Sequence, residues 1–129
     1  MKNEHEVEMK IRKQAADYGW KTYHADGLAS GFHDILCLKN GEVRLIEVKN
    51  IIGITWGRIE RSIRPVQLNR WTEFVKCDTC PEMFLHIGQY PDLITKTYKI
   101  NLFFLEYIQN IRNYGKFGEV EPQEEEIKW

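Results

Sequence analysis

Apolar positions along the chain change period several times, and each change marks an element. Val7, Ile11, Ala15 and Tyr18 recur at steps of four, four and three, the spacing of one helix face, and Asn3 with Glu6 three residues on is a capping signal. A first helix is predicted, ended by Gly19. Residues 20–24 then read as a short strand, and 25–31 as a loop of small residues. Residues 34–38 and 43–48 are β-rich runs joined through Lys39-Asn40-Gly41-Glu42. Asn-Gly is a strong hairpin signal because both turn positions take positive φ. Residues 50–64, with Gly53 and Gly57, read as long and irregular. Pro65 suits the first position of a helix that carries Leu68, Trp71 and Val75 on one stripe. Residues 83–87 form a buried strand pattern, 97–100 a weaker one, and 102–111 a final apolar helix. The predicted order αβββαββα gives an α/β domain, a mixed sheet with helices packed on it.

A length of 129 residues and 15.4 kDa is that of one compact domain. With 43% hydrophobic and 29% charged residues, the disordered, collagenous and disulfide-scaffold classes drop out. No apolar run approaches the roughly 18 to 20 residues that span a bilayer, and Met1 leads into charged residues. No membrane association is therefore expected, and a cytoplasmic location is. The three cysteines are too few and too odd in number for a disulfide framework. The formal net charge of -1 hides an uneven distribution. Residues 114–129 hold five acids against two bases and read as a solvated acidic tail, which leaves 1–113 as a mildly positive body. Within it, Arg58, Arg61, Arg64 and Arg70 face only Glu60 between residues 57 and 70, a density of guanidinium groups suited either to phosphate contacts or to a solvated face.

A turn centred on Asn40-Gly41 sets Leu38 opposite Val43, Leu36 opposite Leu45, and Asp34 opposite Glu47. Opposed side chains on paired strands lie about 5 Å apart, and like charges there repel. Lys49, on the same face as Glu47, would offset part of that repulsion, and a shared divalent cation more of it. A frayed hairpin end facing water is the plainer alternative. Against it, Ile35, Leu36, Leu45, Ile46 and Val48 are apolar on both faces, as in a sheet covered on both sides. On the first helix, Glu8 borders the apolar stripe a turn deeper than Glu4 and is the better candidate for a third carboxylate, while Glu6 lies on the far side.

These residues resemble the PD-(D/E)xK nuclease superfamily, whose core is an acid-bearing helix, a hairpin with Asp and a strand with Glu-x-Lys. Asp34, followed thirteen residues on by Glu47-Val48-Lys49, is similar in spacing to the archaeal Holliday-junction resolvases. Glu8, ahead of Gly19-Trp20, matches their helix-borne acid. His33 stands where the superfamily has its Pro. The run Gly31-Phe32-His33-Asp34 with Gln67 also resembles VRR-NUC nucleases, and the insertion after the Glu-x-Lys strand resembles RecU-type resolvases.

The resemblance implies a restriction-endonuclease-like fold and hydrolysis of DNA phosphodiester bonds, most of all in four-way junctions, by a homodimer. A repair nuclease cutting flaps or duplex DNA, or a binding module without hydrolysis, are the alternatives. Asp34, Glu47 and the Val48 carbonyl would hold magnesium or manganese, and Glu8 a second metal. Lys49 would act electrostatically instead of as a base, and Gln67 would hold the nucleophile or a phosphate oxygen, or merely cap its helix. Ser30, Arg58, Arg61, Arg64 and Arg70 are the expected DNA contacts. Cys77 and Cys80 have the spacing of half a zinc site but lack an obvious second half. His24 and His33 are either ligands or packing groups. Trp56 is either a wedge for branched DNA or a loop anchor. Phe103, Phe104, Leu105, Tyr107, Ile108 and Ile111 are core or a subunit contact.

Overall fold

The computed structural model describes residues 2–25, 33–89 and 94–129, with side chains from residue 4 onward. Its elements are α1 (Lys2–Asp17), β1 (Lys21–His24), β2 (Ile35–Lys39), β3 (Glu42–Asn50), α2 (Trp56–Ser62), α3 (Pro65–Val75), β4 (Glu82–Gln89), β5 (Ile94–Lys99) and α4 (Leu102–Tyr114). The strands form one sheet in sequence order. All neighbours are antiparallel except β3 and β4, which the α2–α3 crossover makes parallel. This is the expected α/β layering of a mixed sheet with helices around it.

Local chemistry explains most of the boundaries. Asn40 and Gly41 take φ of 50° and 81°, as a two-residue hairpin turn requires. The resulting register pairs Ile35 with Ile46, Leu36 with Leu45 and Leu38 with Val43, as the sequence implies. Pro65 opens α3, and Asn101 caps α4 by accepting from the Phe104 N–H at 2.9 Å. Gly115, at φ 62°, closes α4 in the left-handed region. Helix α1 includes Asn3, whose side chain lies outside the described residues.

Each sheet face has its own core. Ile11 and Ala15 of α1 lie with Trp20 on Ile35, Cys37, Ile46, Val48 and Phe84. On the other face Leu68 and Trp71 of α3, and Phe104, Leu105 and Ile108 of α4, cover Leu45, Met83, Leu85 and Ile87. α1 comes so close to β4 that a Cβ on Gly88 would stand 2.7 Å from Val7 Cγ2, so a larger residue there would have to displace Val7.

Two expectations are corrected. Residues 50–64 are not wholly irregular. Thr55 caps α2 by accepting from the Arg58 N–H at 3.3 Å, Ile59 and Ile63 are buried, and Trp56 places its ring 4.9 Å from those of Tyr98 and Tyr107. Arg112 of α4 fixes the helix from outside, pairing with Glu60 at 3.1 Å and donating to the Glu60 and Ile63 carbonyls. Nor is the acidic segment simply solvated. Pro122 and Ile127 are buried, the Glu125 N–H donates to the Thr97 carbonyl at 2.8 Å, and Trp129 meets Trp20 edge-on. Its acids face water, as do Phe117 and Val120, while Ile127 and Trp129 close the α1-side core.

Candidate active site

The hairpin register, continued one residue beyond β2, brings Asp34 opposite Glu47. Asp34 is fixed there by its own strand neighbours: its Oδ2 accepts from the Val48 N–H at 2.9 Å, and its carbonyl from the Ala25 N–H at 2.7 Å. A strand residue points its N–H and C=O to the same side, so the Val48 carbonyl also faces the Asp34 end. Glu47 is buried in β3, with Oε2 3.1 Å from Lys49 Nζ and 2.9 Å from Gln67 Nε2. Gln67 completes a triangle by accepting from Lys49 Nζ at 3.1 Å through Oε1. The same Oε1 accepts from the Arg64 N–H at 3.1 Å, so the capping role and the site role of Gln67 coexist.

The electrostatics are those of a crowded acid. Burial pushes the Glu47 carboxyl up to about 7; the Lys49 ammonium pulls it down and the neighbouring Asp34 charge pushes it up again. Glu47 Oε1 is buried with no hydrogen-bond partner among the described residues. An acid held this way is relieved by a cation at its open oxygen. Two hard carboxylates and a main-chain carbonyl at one strand end are the donor types that a small oxygen-seeking divalent ion takes. Among the described residues, however, no group of three or more His, Cys, Asp or Glu side chains is assembled that could hold a metal. A cation here would rest on two carboxylates and the backbone.

Glu8 does not join that set. It is buried on α1, its oxygens 3.0 and 2.8 Å from His24 Nδ1 and one of them 3.7 Å from Arg12 Nη1. His24 pairs in register with Ile35, so Glu8 sits near the same end of the sheet as Asp34 but is engaged by partners of its own. The roles of Arg12 and His24 were not legible in sequence, because they depend on how α1 crosses β1.

The arginines divide. Arg58 donates to the Ile52 and Gly53 carbonyls at 2.6 and 3.2 Å, holding its own loop, and Arg70 pairs with Glu73 at 3.1 Å. Arg61 and Arg64 are exposed. Ser30 lies outside the described residues. His33 is wholly buried, its ring stacked 5.5 Å from Trp71 and 6.2 Å from Phe74, and burial lowers its pKa to about 3. Trp56 is the loop anchor described above. Cys37 is core; Cys77 is exposed and Cys80 half-buried. Of the α4 cluster, Phe104, Leu105, Tyr107 and Ile108 are buried, and Phe103 is 48% exposed. No helix among the described residues is long and apolar enough to cross a membrane. Compared with known proteins, the chain matches no family model and no curated protein.

Proposed function

We propose that this protein is a metal-dependent DNA endonuclease of the PD-(D/E)xK kind that acts on branched DNA such as four-way junctions. The observation that carries the reading is the meeting of Asp34 with the Glu47-x-Lys49 pair at one strand end, with Gln67 joined to both Glu47 and Lys49. Asp34, Glu47 and the Val48 carbonyl would hold magnesium or manganese, which supplies activation of water and charge neutralisation at the phosphate when bound.

The protein's own groups do the rest. Lys49 offers an ammonium that can hold the attacking water or stabilise charge growing on the phosphoryl oxygens. Gln67 donates its amide to Glu47 and accepts from Lys49 through its carbonyl, so it braces both members of the Glu47–Lys49 ion pair. It acts as a positioning residue. Arg61 and Arg64, in no salt bridge among the described residues and exposed beside α3, are suited to phosphates of the strand entering the site. Cutting a four-way junction symmetrically needs two sites, and each chain supplies one, so a twofold homodimer belongs to this reading.

The test is cleavage of labelled four-way junction, flap, duplex and single-stranded DNA by the purified protein, with magnesium, manganese or EDTA. Paired nicks in the junction that EDTA abolishes are expected. Preference for flaps or duplex would redirect the reading to a repair nuclease, and binding without cleavage under either metal would overturn the enzyme assignment.

A further inference from the structure

A cavity of about 740 Å³ opens on the α1 side of β4 and β5, between α1 and the chain's last residues. It lies on the opposite sheet face from Glu47. His86, which lines it, pairs in register with Val48, and Val48 belongs to the α1-side core. The size is that of a small-molecule site.

The lining mixes polar and apolar groups. His86 is 8% exposed, and its Nδ1 meets the Thr97 hydroxyl at 2.8 Å, which leaves Nε2 for a ligand. Where that hydroxyl donates to Nδ1 the neutral ring donates from Nε2, and where it accepts from Nδ1 the ring accepts at Nε2; the Thr95 hydroxyl on the same lining adds a second adaptable group. Burial lowers the His86 pKa to about 4, so the imidazole is neutral near pH 7. Val7, Ile11 and Ile127 form apolar walls, with the rings of Tyr18 and Trp129 beside them. The ionised groups of the lining balance, Glu6 and Glu126 against Lys10 and Lys128.

A balanced rim selects neither anions nor cations. A neutral imidazole bonded to one hydroxyl, with a second hydroxyl two residues along β5, suits a ligand edge that carries donors and acceptors side by side, whereas a purely aliphatic molecule would leave those groups without partners. Apolar and aromatic walls suit a flat ring. We propose that this cavity binds an uncharged nucleobase-like heterocycle, its polar edge held by His86, Thr97 and Thr95. The site is independent of the metal chemistry proposed for the other face. Its heterocycle can come from a free nucleoside or from a base unstacked from a nucleic-acid strand.

Amide NMR titrations distinguish these sources, using adenosine, uridine, a short oligodeoxyadenylate and an abasic strand of the same length. Saturable shifts at Gly88, Thr97 and Ile127 are expected with a nucleoside or with the base-bearing strand. Shifts from nucleosides alone identify a free-nucleoside site, and tighter binding of the oligodeoxyadenylate with none from the abasic strand identifies a strand-borne base. His86→Phe and Thr95→Val should each weaken binding by about tenfold while the remaining spectrum is retained. If His86→Phe disturbs the fold, Thr95→Val alone decides. Absence of saturable shifts with both nucleosides and the oligodeoxyadenylate, or binding indifferent to Thr95→Val, overturns the proposal.

Discussion

The two faces of the sheet near Asp34 handle buried charge in opposite ways. On the α1 side, Glu8 is matched: both its oxygens meet His24, and Arg12 stands close by. On the α3 side, Glu47 is incompletely matched, for Lys49 and Gln67 share one oxygen and the other is buried with no hydrogen-bond partner among the described residues. Asp34 adds like charge beside it. Alternation along β3 creates the contrast, sending Glu47 and Lys49 to one face and Val48 to the other. The matched acid ties α1 to β1 through His24. An acid left short of partners, in a fold that satisfies the neighbouring one, has the signature of a group awaiting something that arrives from outside.

The sharpest way to break this contrast is to neutralise one acid on each face. Under the proposed nuclease activity, Asp34→Asn and Lys49→Met should each reduce junction cleavage by about 10³-fold while junction binding persists. Glu8→Gln should cost no more than about tenfold, and Gln67→Ala, which disturbs the positions of Glu47 and Lys49, between about 10 and 100-fold. Single-turnover cleavage with binding measured in parallel checks all four. Equal losses for Glu8→Gln and Asp34→Asn would join the faces into one site; undiminished cleavage by Asp34→Asn would remove the α3 side from the chemistry.

Much of that α3-side cluster was legible in sequence because it depends on the hairpin. The Asn40-Gly41 turn fixes the register, and the register fixes which residues oppose one another, so Asp34 and Glu47 could be brought together from a count of positions. The link from Gln67 to Glu47 was less accessible, since it depends on where the crossover lays α3. Helix α2 was hidden for a different reason. Gly53 ahead of it, Gly57 within it and the nearby β-branched residues argue against helix locally, and what holds it is tertiary: Trp56 among the rings of Tyr98 and Tyr107, and Arg112 on Glu60. The C-terminal segment misled through composition, since its acids are exposed while Pro122 and Ile127 are buried.

Core truncations compare the faces in stability. Trp71, fully buried, underlies α3 and stacks on His33, the residue before Asp34. Trp71→Ala should cost about 4 kcal/mol, and Ile127→Ala, at the margin of the α1-side core, about 2 kcal/mol. Urea denaturation measures both. A larger loss at Ile127 would show that the C-terminal segment holds the fold more strongly than its burial indicates.

Each face also buries one neutral histidine, His33 on the α3 side and His86 on the α1 side, with pKa lowered to about 3 and about 4. An unfolded histidine titrates near 6.5, so below that pH the unfolded chain binds more protons than the folded one. Stability from these groups is complete above pH 6.5 and is lost as pH falls towards 4 and 3. Between pH 6.5 and 5 each should contribute a loss of about 2 kcal/mol. Glu47 works in the opposite direction: with its pKa raised to about 7, its protonation on acidification favours the folded state. Comparing the pH dependence of denaturation in wild type and His33→Phe isolates one histidine, and the variant should lose about 2 kcal/mol less over that interval. Parallel curves would mean that His33 takes up a proton as readily in the folded protein as in the unfolded chain.

The smallest expected effect separates the arginines. Each phosphate contact on duplex DNA contributes about 0.9 to the slope of log affinity against log salt. Arg58 already holds the Ile52 and Gly53 carbonyls and Arg70 holds Glu73, whereas Arg61 and Arg64 reach solvent on the α3 side. The double variant Arg61→Ala/Arg64→Ala should therefore flatten the slope by up to about 1.8, with little change in the unfolding midpoint. Arg58→Ala should do the reverse, leaving the slope in place and loosening the loop that leads into α2. Fluorescence anisotropy on a labelled junction between low and moderate salt, alongside thermal denaturation, reads both quantities. If Arg58→Ala flattens the slope as much as the double variant, the guanidinium leaves its carbonyls for the phosphates, and the DNA-facing surface extends from α3 back across α2.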